Sequence, residues 1–203
     1  SYDSIVNSTV SNNWYGVYVT GDNDSIINST VSGNCYYGVV VTGDNDTIVN
    51  SNVSYNSYGV FVNGSYDSIV NSTVSNNWYG VYLFYDSGTL ITGNVISNNG
   101  FYRNGIYLGC GLYMDGSSGD LIYNNLFDNT VNVCIVSGFA YWNVSLRPGR
   151  NIVGGDMIGG NAWLTPNGTG FSQVTPASPS DPYICDKPYV INGNNTDYLP
   201  LKY

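Results

Sequence analysis

Residues 1–18 read SYDSIVNSTVSNNWYGVY, and the same eighteen residues return without a change at positions 65–82. Two imperfect copies lie between them, so the chain opens with four successive units of 21 or 22 residues. Self-similarity at this period is typical of a solenoid, in which each unit forms one turn and contacts only its neighbours. Counted from an aspartate, the units are 3–23, 24–45, 46–66 and 67–87.

Each unit contains short alternating runs such as Gly-Val-Tyr-Val, rich in β-branched residues and separated by Gly, Asn and Asp. Such runs predict strands and turns, and no helical period fits them. Three short strands per turn, stacked at the ~4.8 Å spacing of paired strands, predict an all-β fold. The expected architecture is a right-handed parallel β-helix of about six 21–22-residue coils, because no hexapeptide period points to the left-handed form.

Apolar residues that recur in register predict the interior of this solenoid. A fifth unit keeps the pattern but carries about ten extra residues, which we place around 100–103 and 109–115. The residues expected to face inward are Ile5, Val10, Val17 and Val19, then Ile26, Val31, Val39 and Val41, then Ile48, Val53, Val60 and Val62, then Ile69, Val74, Val81 and Leu83, and in the fifth unit Leu90, Val95, Ile106 and Leu108.

Polar residues also recur in register and predict side-chain ladders along the solenoid axis. One line is expected to be buried at an inner turn, where amides bond the backbone and each other. It comprises Asn7, Asn28, Asn50 and Asn71; a second line comprises Asn13, Asn34, Asn56, Asn77 and Asn98. A line of carboxylates is expected to cap turns, and comprises Asp3, Asp24, Asp46, Asp67 and Asp120.

The repeats are predicted to occupy residues 1–146. Residues 147–203 are predicted to form an irregular C-terminal cap that packs on the repeats and is a candidate segment for subunit contact. Prolines punctuate this tail, in which we expect strands at 188–191 and 198–201. A solenoid needs a cap because its last coil otherwise presents unpaired strand edges.

The composition excludes several classes of function. The chain has 14 acidic and 5 basic residues, a net charge of −9 and no His, and all its acids are Asp. So few cations cannot track phosphates, which excludes a nucleic-acid partner. No apolar run approaches the ~18 residues of a membrane span. The chain starts within a repeat and shows no signal peptide, so we expect a processed product at an extracellular address.

The coils resemble the NosD-type parallel β-helix repeats, also called carbohydrate-binding and sugar-hydrolase repeats, of archaeal cell-surface proteins. The tail carries further resemblance in Gly159-Gly160-Asn161-Ala162-Trp163, in Gly168-Thr-Gly-Phe-Ser172, in Ile184-Cys185-Asp186 and in Asp197-Tyr-Leu-Pro-Leu201. Two features depart from the family pattern: an aspartate-rich turn is replaced by TPASPSDP at 175–182, and the cysteine that often precedes Ile-Cys-Asp is missing. The family name implies copper delivery, yet this chain has no His and two Met.

Several residue sets are candidate sites. Candidate calcium ligands lie in two stacked turns, Asp22 with Asp24 in one and Asp44 with Asp46 in the next. The alternative interpretation is that these are ordinary Gly/Asx turns that bind no metal. A surface row of aromatic residues comprises Trp14, Tyr15, Tyr37, Tyr58, Trp78 and Tyr79, with Tyr18, Phe61, Tyr82 and Tyr107 on the next strand. Stacked aromatics can stabilise the ladder, contact a protein or contact sugars.

Sequons and cysteines agree with an extracellular address. Glycosylation candidates in predicted turns are Asn23, Asn45, Asn63, Asn143, Asn167 and Asn194, whereas the ladder residues Asn7, Asn28 and Asn71 are expected to be buried and bare. The disulfide candidates are Cys35, Cys110, Cys134 and Cys185. Cys110 and Cys134 fall in successive coils and are expected to be able to pair, and Cys35 to bridge to Cys185 of another copy.

Three function classes follow. The first is a secreted, non-enzymatic structural protein of a prokaryotic, archaeal cell surface that assembles with copies of itself, head to tail, into a filament, because the first coil has no helix or loop to cover it. The second is a carbohydrate-binding module for cell-surface glycans. The third is a polysaccharide lyase or hydrolase, in which clustered carboxylates act with Arg or Lys; the first basic residue is Arg103. We expect no cofactor other than the calcium considered above.

Overall fold

The computed structural model describes residues 2–203, which fold as a parallel β-solenoid of about six turns, as the repeat predicts. Each of the first four coils contributes three short strands, because Gly and Asn residues at its turns divide the chain into short runs. These strands are β1 (Ser4–Val6), β2 (Thr9–Ser11), β3 (Tyr15–Val19), β4 (Ser25–Ile27), β5 (Thr30–Ser32), β6 (Tyr37–Val41), β7 (Thr47–Val49), β8 (Asn52–Ser54), β9 (Tyr58–Val62), β10 (Ser68–Val70), β11 (Thr73–Ser75) and β12 (Tyr79–Phe84).

The fifth and sixth coils are less regular and include two long strands. In chain order they contain β13 (Leu90–Thr92), β14 (Val95–Ser97), β15 (Phe101–Arg103), β16 (Ile106–Leu108), β17 (Cys110–Tyr123), β18 (Leu126–Asp128) and β19 (Val133–Tyr141). The remaining elements are β20 (Arg147–Pro148), β21 (Met157–Ile158), β22 (Ala162–Leu164), helix α1 (Phe171–Val174), β23 (Ala177–Ser178), β24 (Asp181–Cys185), β25 (Tyr189–Asn192) and β26 (Asn195–Asp197).

Two sheets form the walls. One contains the row β1-β4-β7-β10-β13 and the row β3-β6-β9-β12, which meet because the long strand β17 pairs with both β13 and β12. The other has the order β2-β5-β8-β11-β14-β18-β22, so a tail strand continues a wall of the solenoid. All pairings in these walls are parallel and in the register of the repeat, for example Ile5 opposite Ile26.

The interior is a stack of Ile and Val residues from successive coils. The inward residues predicted for units two to four are all buried, at most 3% exposed. The prediction is wrong in the fifth unit, where the interior holds Ile91, Ile96, Leu112 and Met114. Ile91 and Ile96 replace the first predicted pair because the repeat offset changes from 21 residues at Leu83 to 22 at Ser87. Leu112 and Met114 replace the second pair because the extra residues form one exposed hairpin, β15–β16, after which the chain returns at once to regular strand.

In the predicted line of aspartates, the N–H groups of Asp3, Asp24 and Asp46 each donate to the carboxylate one coil on. Two further polar ladders run along the axis. In the first, a backbone N–H donates to a side-chain oxygen one coil on; it comprises Ser8, Ser29, Ser51, Ser72, Asn94, Asn125, Asn161 and Asp197. In the second, both the backbone and the side-chain amides bond the next asparagine; it comprises Asn13, Asn34, Asn56, Asn77, Asn99, Asn129 and Asn132. These ladders give hydrogen-bond partners to buried polar groups at the turns of the coils.

The predicted ladders need two corrections. The line of Asn7, Asn28, Asn50 and Asn71 is exposed, and each of these residues has φ of +50°. They serve as left-handed turn residues, a conformation that Asn tolerates better than most residues. In the second line the fifth member is Asn99, not Asn98, which is exposed with φ of +54°.

The tail packs over the last coil. Asp197 accepts the N–H of Asn161 at 2.8 Å and the indole N–H of Trp163 at 2.9 Å, and Trp163 stacks on Phe127 of the coil before. The strand predicted at 188–191 is present as β25, which pairs with β26 in a hairpin. The strand predicted at 198–201 is wrong, because this segment forms only isolated bridges at Leu201. The division of the chain at residue 146 stays a prediction.

Candidate functional site: the aromatic face and the open coil edge

The aromatic face is a set of rings on the outside of the β3-β6-β9-β12 wall. Tyr15, Tyr37, Tyr58 and Tyr79 form a column with ring centroids 5.0 to 5.4 Å apart. Their spacing follows from the ~4.8 Å separation of paired strands. A second column on the same wall comprises Tyr18, Phe61, Tyr82 and Tyr113, interrupted by Val40.

The second column ends on Tyr113, which pairs with Tyr82 at a centroid distance of 4.4 Å. The sequence placed Tyr107 there, but Tyr107 lies in β16 and donates its hydroxyl hydrogen to Asn99 O at 2.6 Å. Because the hairpin insertion has no counterpart in the other coils, the repeat did not predict which residue continues the second column after it.

The rings mostly cover one another. Along the first column the planes of Tyr15 and Tyr37 differ by 18° and those of Tyr58 and Tyr79 by 14°, so a ring face meets a ring face. Burial also raises the pKa of Tyr37 to about 12. Their edges, not their faces, meet the solvent, which fits a structural ladder better than a platform on which sugar rings stack.

Trp14 differs from the column residues because it stands in the first coil. It stacks on Tyr36 at 6.0 Å with planes 14° apart, and it remains 63% exposed. The equivalent Trp78 of the second copy (residues 65–82, against the first copy at 1–18) is less exposed, at 46%, and packs on Phe101 at 4.4 Å. Trp14 therefore keeps a large open surface.

The open coil edge is the side of β1, β2 and β3 that faces away from the rest of the solenoid. These strands pair with β4, β5 and β6 on one side and stand at the ends of their sheet rows, with no strand of residues 2–203 on the other side. Backbone groups on this side lack the partners that every later coil has.

The second copy shows which groups these are. There the N–H of Ser68 donates to a carbonyl of the coil before at 2.8 Å, and that of Thr73 does so at 2.9 Å. The corresponding residues of the first copy are Ser4 and Thr9, whose amides point to the uncovered side.

The interior is also open at this edge. Ile5 and Val10 are only partly buried, although their counterparts Ile69 and Val74 are at most 1% exposed. A cavity opens here between β1, β3 and β4, lined by Ile5, Val17 and Ile26 among others. Covering the edge would bury apolar surface as well as pair strands.

The four candidate calcium ligands lie on two separate lines. Asp44 is exposed and accepts the backbone N–H of Ser65 at 2.8 Å, whereas Asp46 is buried and accepts the N–H of Asp24 at 2.7 Å. Asp22 accepts the N–H of Asp44 at 3.0 Å. Each carboxylate accepts a backbone N–H of a neighbouring coil and so joins the turns of successive coils.

The sequons differ in exposure. Asn23, Asn45, Asn167 and Asn194 are exposed, and Asn63 and Asn143 are half-buried. Asn7, Asn28 and Asn71, which we expected to be buried, are exposed as described above. Access therefore does not distinguish the two sets. Glycosylation of the six candidates stays a prediction, and burial does not argue against it at Asn7, Asn28 and Asn71.

All four cysteines are free in the structure. Cys110 takes the place of a tyrosine in the first column and Cys134 in the second, so they meet diagonally as Tyr79 and Tyr113 do. Their mutual hydrogen bond raises the pKa of Cys110 and lowers that of Cys134. Cys35 is exposed, but Cys185 is only 5% exposed, so its bridge to another copy is disfavoured by burial.

The fold and the repeat register define a parallel β-helix. The model of the NosD family, described as periplasmic copper-binding protein (NosD), matches residues 1–168. The chain belongs to the NosD family. No curated protein matches it. No helix of residues 2–203 is long and apolar enough to cross a membrane.

Two solved structures are similar to parts of this chain. Pectate lyase Pel9A is 16% identical with a TM-score of 0.42, over 67% of this chain and 48% of that one. QnrB1, a plasmid-mediated fluoroquinolone resistance protein, is 8% identical with a TM-score of 0.25, over 69% of this chain and 70% of that one. The present chain thus spans about half the length of the pectate lyase.

The copper of the family description does not fit the donors of this chain. Residues 2–203 contain no group of three or more His, Cys, Asp or Glu side chains arranged to hold a metal. The softest donors in contact are the two thiols of Cys110 and Cys134, with no imidazole in the sequence. Copper prefers thiolate ligands, and the contact with Cys134 together with burial raises the pKa of Cys110 and so opposes its thiolate form.

Proposed function

We propose that this chain is a secreted, non-enzymatic structural protein of a prokaryotic, archaeal cell surface that assembles with copies of itself into an extracellular filament. The observation that carries the proposal is the open coil edge. Among residues 2–203, no strand pairs with the amides of Ser4 and Thr9 on this side, and the interior residues Ile5 and Val10 are only partly buried there. Pairing and burial at such an edge favour association with another chain.

A second copy suits this edge because its tail supplies further strands together with exposed apolar side chains. The cap of each copy exposes Val190 and Tyr198, at 63% and 68%. Contact between the edge of one copy and the cap of the next joins two different surfaces, so it is heterologous. A heterologous contact whose repetition does not close into a ring makes a filament. The half-buried aromatic columns would extend along such a filament and stiffen it.

The experiment uses the duplicated sequence as its own control. Val6 and Val70 have identical neighbours in sequence, but Val6 lies on the open edge and Val70 lies between coils. Lysine on an edge strand opposes pairing with a further strand. Val6→Lys should abolish filaments in electron micrographs and leave a monomer by sedimentation velocity, whereas Val70→Lys should assemble like the unchanged chain.

Two results would contradict the proposal. One is an unchanged chain that stays monomeric at high concentration and shows no filaments. The other is equal assembly of Val6→Lys and Val70→Lys, which would place the contact elsewhere. Circular dichroism of both variants establishes that each remains folded.

A second candidate function, carbohydrate binding, is favoured by the open surface of Trp14. An aromatic side chain with a free face can take a sugar ring. A glycan array should then show hits that Trp14→Ala removes and Trp78→Ala, in the same local sequence, preserves. An array without hits removes this candidate. A polysaccharide lyase or hydrolase remains an alternative, which assays for unsaturated or reducing-end products decide.

A further inference from the structure

A buried polar corner lies inside the turn between β12 and β13, where the coil bends toward the β1 row. It contains the side chains of Asp86, Thr89, Ser117 and Asp120, of which Asp86 is 2% exposed and the other three are fully buried. It is separate from both the open coil edge and the exposed turns of Asp22 and Asp44.

Five oxygens in this corner have no hydrogen-bond partner. They are both carboxylate oxygens of Asp86, Oγ1 of Thr89, Oγ of Ser117 and Oδ2 of Asp120. Ser117, Thr89 and Asp120 lie close enough to Asp86 to lower its pKa, which burial raises, but their oxygens form no hydrogen bond of good distance and angle with it. Only Oδ1 of Asp120 is used, as the acceptor of the Thr89 backbone N–H at 3.0 Å.

The repeat explains why Asp86 points inward. Bridges between Ser65 and Ser87 place Gly64 and Asp86 at equivalent positions of successive coils. A Cβ at Gly64 would lie 2.6 Å from Oδ2 of Asp67. The position that Gly64 and Asp86 share therefore faces the buried line of aspartates to which Asp67 belongs. The carboxylate of Asp86 therefore enters a space that is occupied by no side chain in the coil before.

The oxygens cannot remain as they are. A buried carboxylate without a partner is strongly disfavoured, and each unpaired buried hydroxyl adds a further cost. The two hydroxyls are an observation independent of the acids, because they too are buried, unpartnered and directed at Asp86. Carboxylate and hydroxyl oxygens together are hard ligands.

We propose that this corner binds one hard divalent cation, Ca²⁺, through Asp86, Thr89, Ser117 and Asp120. Two carboxylates supply the compensating charge of −2, and five free oxygens approach the 6 to 8 ligands that Ca²⁺ takes. Oδ2 of Asp67, also buried and unpartnered, is available from the coil before. Ca²⁺ suits an irregular corner better than Mg²⁺, which demands an octahedron.

The test is Ca²⁺ titration of the full chain by isothermal calorimetry, after treatment with EDTA. It is run at pH 8 because burial raises the pKa of Asp120 to about 7, and a proton competes below that pH. We expect one Ca²⁺ per chain and a rise in thermal midpoint on binding. Asp86→Asn should weaken binding at least tenfold, and the matched control Asp44→Asn, at the exposed turn, should leave it unchanged.

Thr89→Val removes one oxygen at constant shape, so it tests the site even if Asp86→Asn fails to fold; it should also weaken binding about tenfold. The absence of Ca²⁺ binding by the unchanged chain would overturn the proposal and leave protons as the occupants of the corner. Binding that survives Asp86→Asn and Thr89→Val but is lost in Asp44→Asn would overturn it in favour of the exposed turn. Neither result bears on filament formation, which rests on the open coil edge.

Discussion

The asparagine ladder yields a prediction that separates burial from local sequence. Asn77 and Asn13 stand at the same position of the two identical copies. Asn77 is 1% exposed and lies between two coils, whereas Asn13 is exposed in the first coil. Truncating each to alanine changes the same local sequence in two different environments.

The expected cost at Asn77 follows from its hydrogen bonds. Its amide nitrogen donates to Val53 O and to Asn99 Oδ1, both at 3.1 Å, and its oxygen accepts the backbone and side-chain amides of Asn56 at 2.9 and 3.1 Å. Asn77→Ala leaves the backbone N–H of Asn56 buried without a partner. An orphaned buried group costs about 1 to 3 kcal/mol, so with the other lost bonds we expect about 2 to 4 kcal/mol.

The same change at Asn13 should cost less than about 1 kcal/mol, because solvent can replace its partners. Its amide nitrogen donates to Ser11 O at 3.0 Å and to Asn34 Oδ1 at 3.4 Å. Urea unfolding followed by tyrosine and tryptophan fluorescence, at a concentration where the chain is monomeric, measures both. Equal costs for the two variants would refute the assignment of the ladder to the interior.

Three further predictions concern packing, titration and the thiols. Gly59→Ala should destabilise the chain strongly, since its Cβ would lie 2.4 Å from Gly80 O and 2.8 Å from the Asn77 amide, whereas Gly193→Ala meets nothing within 4 Å and should be neutral in the same urea assay. Burial raises the pKa of Asp67 and of Asp120 to about 7, so between the unfolded value of ~3.9 and 7 the folded chain holds protons that the unfolded chain releases. The urea midpoint in EDTA should therefore fall as pH rises from 5 to 8, and a midpoint that rises over this range would contradict the burial of these acids. Cys134, whose pKa is lowered by the hydrogen bond with Cys110, should be alkylated at pH 7.5 before Cys185, whose pKa burial raises to about 11; peptide mass spectrometry would show the reverse order if this reasoning fails.

The repeat predicted the parallel solenoid and the inward residues of the regular coils, because a period of 21 or 22 residues forces equivalent side chains into register. It failed in the fifth unit, where one extra residue before Ser87 and the hairpin β15–β16 break the period. The hairpin β15–β16 shifted the predicted interior from Leu112 and Met114 to Ile106 and Leu108. Nothing in the apolar pattern alone distinguishes these alternatives, since both pairs alternate.

The polar positions were harder to assign from sequence. Asn at a turn serves either as a buried ladder rung or as a left-handed turn residue, and the line of Asn7, Asn28, Asn50 and Asn71, predicted as a buried ladder, consists of exposed turn residues. The corner at Asp86 went unnoticed, although an aspartate in a line that otherwise holds Gly43 and Gly64 is a readable signal. Its unpaired oxygens become visible only when three coils are stacked.

Hydrogen exchange of four amides tests the proposed assembly most directly. Ser4 and Thr9 lie on the open coil edge, and Ser68 and Thr73 are their covered counterparts in the identical second copy. In dilute monomer the first pair should exchange rapidly and the second pair slowly. At concentrations that give filaments, Ser4 and Thr9 should become as protected as Ser68 and Thr73; continued rapid exchange of Ser4 and Thr9 in the assembled material would contradict assembly through this edge.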